Sequence, residues 1–295
     1  MKHILLWLAV LVLFTASAMA DGLPIDFTGG SAPLESGLTD NSYEDSTISV
    51  HIETGRTDGC DYWIADIVIA HPSQIRTASA GGFESNMVMD GERMAKRMNA
   101  ILAINGDFYS SSEKKGRGYV IRQGELYLDN LDEDNHYGSI LMDILLIDED
   151  GDFHVLYRPE NGSIRGTVEG KKIINAFSFG PVLVDHGEAV TSFNGSDRYI
   201  DMAADKKRQR MCICQVEPLH YKAICCAAPA RGSAGMTLRQ FADFVAQQGV
   251  WIAYNLDGGD STMLIFNGRK QNDVRNRSTR KLLDIIYFAS AEGMN

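Results

Sequence analysis

Beyond its first twenty residues the sequence has no apolar run approaching the roughly 20 residues of a membrane-spanning helix, which excludes a later helical span. Positive charge is scarce. Lys and Arg number 28 against 39 Asp and Glu, a formal net charge of -11, so a polyanion such as nucleic acid is excluded as a partner held by bulk electrostatics. Two local basic clusters, Lys206-Lys207-Arg208 with Arg210 and residues 269–281, read mostly as solvated faces in which single positions carry any function. None of the seven histidines stands in a metal-ligand or triad pattern. The five cysteines lack both a disulfide framework and a zinc signature. Cys212 and Cys214 share one face of a strand while Cys225 and Cys226 point oppositely, so they read as small core residues, with one disulfide as the other reading. No internal repeat and no linker divides residues 46–289.

The chain opens with Lys2 and His3, an apolar run Ile4 to Phe14, and small residues ending Ala18-Met19-Ala20. This predicts an export signal peptide over 1–20 cleaved after Ala20, and a secreted or extracytoplasmic mature protein without an integral membrane segment. Residues 21–45 are rich in Gly, Ser, Pro and acids and predict a flexible leader. From residue 46 onward, alternating stretches such as "STISVHIET" and "DYWIADIVIA" predict strands. "GERMAKRMN" predicts a short helix. The clearest helix is "TLRQFADFVAQQG": Thr237 and Gln240 form a capping box, and Leu238, Phe241, Phe244 and Val245 line one face. Many strands with few, irregularly placed helices imply an α+β fold of mixed sheets in a single large domain over 46–295.

Two apolar runs end in the same kind of chemistry. "AILAINGDFYS" delivers Asn105 and Asp107 to the end of a strand, and "VWIAYNLDGGDSTM" delivers Asn255 and Asp257. Gly258 and Gly259 permit conformations closed to other residues and let a ligand or a second backbone approach. An acidic turn is the ordinary explanation for one such stretch. Two of them in one chain point to a shared site. "FGPVLV" repeats the strand design, Arg210 opens the strand "RMCICQV", Arg122 closes "GYVIR", and Arg280 precedes "LLDIIYF".

In this order, "AINGDFY", "GYVIRQGELY", "FGPVLV", "SAGMTLRQFADF", "AYNLDGGDS" and "RKLLDIIYF" resemble the phosphodiester glycosidase family over roughly residues 65–289. Asp260 stands where that family has a further glycine. The resemblance implies a secreted hydrolase that cleaves a sugar from a phosphodiester in a glycan or cell-surface polymer. A departing phosphate monoester needs little proton donation, because its second pKa is about 6, but it needs positive charge. The implied roles are Asp257 as general base or nucleophile and Asp107 as second carboxylate. Asn105 and Asn255 would hold sugar hydroxyls or orient the carboxylates. Arg210, Arg280 and Arg122 would bind phosphate, with Ser261 donating to it beside Gly258 and Gly259. The rim of Asp107, Asp257 and Asp260 is oxygen-rich in the way that suits calcium or magnesium, and no other cofactor is implied. A non-catalytic carbohydrate or cell-wall binding module and a phosphodiesterase cutting P–O stay open as alternatives.

Overall fold

The structure, a computed structural model, describes residues 22–107, 118–129, 143–157, 164–191, 193, 204–229, 232–272 and 280–293. The expected export segment and cleavage point lie outside the described residues, as do Phe108 and Tyr109.

Three sheets carry the fold. The eight-stranded sheet runs, edge to edge, through Ser42–Glu44, Ile48–Thr57, Cys60–Ile69, His220–Cys226, Arg210–Glu217, Ile252–Leu256, Val182–Asp185 and Glu188–Ala189. The five-stranded sheet orders Arg269–Lys270, Leu264–Phe266, Ala100–Asn105, Asp284–Ala289 and Ile75–Ser79. In the six-stranded sheet the path is Glu125–Asp129, Tyr119–Arg122, Lys171–Phe177, Ile144–Asp148 and Phe153–Leu156, with Thr167–Val168 beside Lys171–Phe177. Every pairing among the described residues is antiparallel, where mixed sheets were expected. Parallel pairs need long crossovers, usually helical, and hairpins do not. The chain is therefore a sheet-dominated form of the expected class.

Alternation along the strands builds the layers. Val50, Ile67, Met211, Ile213 and Tyr254 of the large sheet pack on Leu102, Ile104, Leu264, Ile286 and Phe288 of the five-stranded sheet, forming the central core. The opposite face of the large sheet, with Cys212, Cys214, Ile224 and Ala253, is covered by the helix Leu238–Ala246 through Leu238, Phe241, Ala242 and Val245. That helix starts as expected: Thr237 accepts from the Gln240 amide and the Gln240 side chain closes the box. The far face of the five-stranded sheet lies under the short helix Gly91–Arg97 through Met94 and Ala95. Consecutive Cys225 and Cys226 split between the central core and the helix-covered layer. All five cysteines are buried with free thiols.

The segment read as a flexible leader is tied to the body. Leu23 and Tyr43 are buried, and Ser42–Glu44 is an edge strand of the large sheet. Fully buried Arg76 donates to the carbonyls of Pro24, Asp26 and Thr28 at 2.9, 3.0 and 3.0 Å. Composition suggested disorder because the anchoring groups belong to residues far along the chain.

Candidate functional site

The two acidic strand ends belong to different sheets and meet where those sheets face each other. Ala100–Asn105 ends in Asn105, which is 1% exposed, and its Nδ2 donates to the Asp257 carbonyl at 2.9 Å. Its Oδ1 accepts from the Met263 amide at 3.1 Å. One side chain thus spans the turn after Ile252–Leu256 and fixes where Asp257 sits. Both expected glycines are needed there. A Cβ on Gly258 would lie 2.6 Å from the Gln209 carbonyl, and Gly259 holds φ at +58° while its amide donates to that carbonyl at 3.0 Å.

The Asp257 carboxylate is 15% exposed and faces Arg280 and Ser261. Arg280 Nη1 lies 3.8 Å from Asp257 Oδ2 and 3.4 Å from Ser261 Oγ. Burial pushes the Asp257 carboxyl above the usual carboxylate range, and the Ser261 hydroxyl, the Arg280 charge and the Gly258 amide only partly offset it. Asp260 points the other way in exposure: it is open to solvent. Thr262, two residues further on, is fully buried, and its Oγ1 has no hydrogen-bond partner among the described residues.

Asp107, two residues beyond Asn105, enters a buried ion network instead of an open rim. Its Oδ2 accepts from Arg122 Nη2 at 2.6 Å and its Oδ1 from the Ser178 amide at 3.2 Å. Asp284, 1% exposed, holds the same guanidinium: Arg122 Nε and Nη2 reach its Oδ2 at 3.3 and 3.0 Å. The Arg122 Nη1 donates to the carbonyls of Ile121 and Ala176, and the guanidinium stacks 4.1 Å over the Phe177 ring. All five N–H groups of Arg122 are therefore engaged by protein acceptors and the residue is 0% exposed. Arg122, expected as a third phosphate ligand, is thus engaged as an internal counter-charge.

Asn255 and Arg210 flank the site. Asn255 Nδ2 donates to the Gly180 carbonyl at 2.8 Å, next to the cis Gly180-Pro181 bond, while its buried Oδ1 has no partner among the described residues. Arg210 is buried, and its Nε and Nη2 donate to the carbonyls of Met236 and Lys206 at 3.2 and 2.9 Å. Burial lowers its pKa to about 10, so it stays charged at neutral pH. Its backbone borders Gly258, but these bonds hold its side chain toward the 204–208 segment. The structure thus gathers Asn105, Asp257, Ser261 and Arg280, with Asp107 and Arg122 behind them. Sequence reasoning missed Asp284. The available signal was a lone carboxylate inside "LLDIIYF".

Among the described residues no group of three or more His, Cys, Asp or Glu converges as metal ligands would. The arrangement offers a largely buried carboxylate with raised proton affinity, a partly exposed guanidinium beside it, and a hydroxyl between them. Such a set can activate water or a nucleophile next to a bound anion.

A family model described as phosphodiester glycosidase matches residues 98–289, a range that contains every residue of this site. No curated protein matches the chain. Among solved structures, the chain is similar to the catalytic domain of zebrafish N-acetylglucosamine-1-phosphodiester alpha-N-acetylglucosaminidase, described as auto-inhibited by its pro-peptide. That likeness has a TM-score of 0.60 at 17% identity and covers 88% of this chain and 87% of the other. A Synechocystis protein described as hypothetical gives a TM-score of 0.52 at 16% identity, covering 82% and 62%. A Burkholderia pseudomallei protein described as exported gives 0.51 at 11%, covering 78% and 74%. At these identities the likeness is one of fold.

Proposed function

The chain belongs to the phosphodiester glycosidase family, and on that premise we propose that it hydrolyses a sugar-1-phosphodiester linkage in a glycan or cell-surface polymer outside the cytoplasm. The observation that carries this reading is the grouping of Asp257, Ser261 and Arg280 at the ends of two strands held together by Asn105. In the proposed reaction the bond from the anomeric carbon to the phosphate oxygen breaks, and the phosphomonoester leaves with its electron pair. Arg280 neutralises that leaving group. Being partly exposed, it can turn from Asp257 toward an incoming phosphate, and its planar fork suits two oxygens at once.

Asp257 takes the proton of the attacking water or attacks the anomeric carbon itself. Its raised pKa makes it a stronger base than an exposed aspartate at pH values where it is ionised. Asp107 is paired with Arg122, so its part is to hold the Asn105-Gly106-Asp107 turn and to add negative potential near the developing sugar cation. Ser261 donates to phosphate or to Asp257. Asn255, buried and bonded to the Gly180 carbonyl, holds the strand end that carries Asp257.

The test is a turnover screen over sugar-1-phosphodiesters that reads free reducing sugar and phosphomonoester together. Release of both supports the reading. Binding without release would favour a carbohydrate-binding module, and label from oxygen-labelled water found in the phosphate would favour P–O cleavage.

A further inference from the structure

A cleft of about 540 Å³ opens beside the ion network and takes no part in the chemistry above. Three aromatic rings stand around it. Phe27 and Phe83 have ring centroids 5.8 Å apart, and Phe83 and Tyr127 lie at 5.3 Å. Ser79, Glu84 and Arg97 line the same cleft. Its wall is shared with the candidate site: Phe83 lies 5.8 Å from the Arg122 guanidinium that holds Asp107, and Ser79 is paired in register with Asp284.

Phe27 is the unusual member. It is 52% exposed, yet the chain on both sides of it is fixed. Arg76 Nη2 donates to the carbonyls of Asp26 and Thr28, Gln123 Nε2 donates to Asp26 at 3.1 Å, and Asp26 Oδ1 accepts from both the amide and the hydroxyl of Thr28. Burying a guanidinium is costly, and here it pins a short strap that leaves a phenyl ring facing solvent. A ring that served only to fill the core would be turned inward. A ring presented rigidly at a cleft mouth loses little conformational freedom when a flat apolar surface settles on it.

From this geometry we infer that the cleft is a subsite for a neutral sugar ring of an oligosaccharide. One sugar face carries C–H groups that pack on an aromatic ring, and its edge carries hydroxyls that need polar partners. The lining supplies both: aromatic rings from Phe27 and Tyr127, backed by the buried Phe83, and polar groups from Ser79, Glu84 and Arg97. A lipid tail or apolar peptide would make no use of the exposed Glu84 and Arg97, whereas sugar hydroxyls can pair with both. One acid and one base in the lining leave no net charge to select an ionic ligand. The assignment of the cleft to the substrate's own glycan rests on the proposed phosphodiester glycosidase activity; the binding of a sugar ring does not.

The experiment titrates the mature protein with cellotetraose, maltotetraose and chitotetraose by calorimetry, alongside turnover of a small aryl diester of a sugar-1-phosphate. At least one tetrasaccharide is expected to bind, with affinity falling about tenfold in Phe27→Ala and in Tyr127→Ala. Phe27 lies on the surface, so its replacement leaves folding intact, and turnover of the small diester should stay at the wild-type rate. Absence of binding by all three sugars, or equal binding in both variants, would overturn the subsite. If no diester is turned over, the proposed activity fails by itself, while the titrations still decide whether the cleft takes a sugar.

Discussion

Asp284 and Gly106 occupy nearly the same space: a Cβ added at Gly106 would lie 2.3 Å from Asp284 Oδ1. The glycine is there because the carboxylate of the neighbouring strand must reach past it. Asp284 accepts the Asp107 amide at 2.9 Å through that oxygen, and its backbone carbonyl accepts the Gly106 amide at 3.1 Å. The same carboxylate holds Arg122, so backbone position and side-chain charge at the end of Ala100–Asn105 are set by one residue.

Replacing Gly106 with Ala should therefore displace Asp284 and strain the whole network. Overpacking of this kind costs about 1–3 kcal/mol, read as a lower midpoint in urea unfolding with an unchanged slope. Asp284→Ala should cost more, about 3–5 kcal/mol, because it leaves the buried Arg122 charge short of a partner. Equal midpoints for wild type and Asp284→Ala would contradict this network.

Arg280→Lys separates phosphate handling from folding. The lysine keeps the charge beside Asp257 but loses the two-oxygen fork. With Arg280 already partly exposed, the melting temperature should shift by no more than a degree or two, while kcat/KM for a sugar-1-phosphodiester falls about 10- to 100-fold. A variant with wild-type kcat/KM would remove Arg280 from the phosphate site.

The cysteines give a check on the layered core. Cys60, Cys212, Cys214, Cys225 and Cys226 are all buried, and burial raises the thiols of Cys212, Cys225 and Cys226. Denatured, unreduced protein should yield five reactive thiols, and the native protein should label slowly. A count of three would reveal a disulfide.

What could be read from the sequence was local. The capping box at Thr237 and Gln240, the alternation that divides Cys225 from Cys226, and the paired strand-end motifs carrying Asn105 and Asp257 each need only a few neighbouring residues. The rest depends on partners distant in the chain. Arg122 closes a strand in a way that suits a ligand-binding arginine, and its burial follows from Asp284, 162 residues away. Asp284 was passed over for the same reason, since a single acid in an apolar strand carries no local sign of the guanidinium it meets. The strap around Phe27 looked disordered by composition, although Arg76 and Gln123 fix it.

Asp257→Asn is expected to move activity and stability in opposite directions. The carboxamide keeps the shape of the side chain and can still accept from Ser261, but it can neither take a proton from water nor attack the anomeric carbon. Turnover should fall by about 10²- to 10⁴-fold or more. The stability change follows from the raised pKa of Asp257, whose chief cause is burial. A carboxyl that binds its proton more tightly in the folded state than in the unfolded chain destabilises the fold as pH rises through the window between its unfolded and folded pKa values. Below the unfolded value both states are protonated and this contribution vanishes. Above the folded value both are ionised and the full cost of burying the charge remains. Asn carries no such charge, so the variant should melt at a higher temperature than wild type at pH 7, and the difference should shrink as the pH is lowered toward 3. If Asp257 were simply an acidic turn residue well paired with Arg280, its pKa would instead be depressed. The variant would then melt lower at pH 7 and retain near-normal turnover, since Asn is also at home in turns.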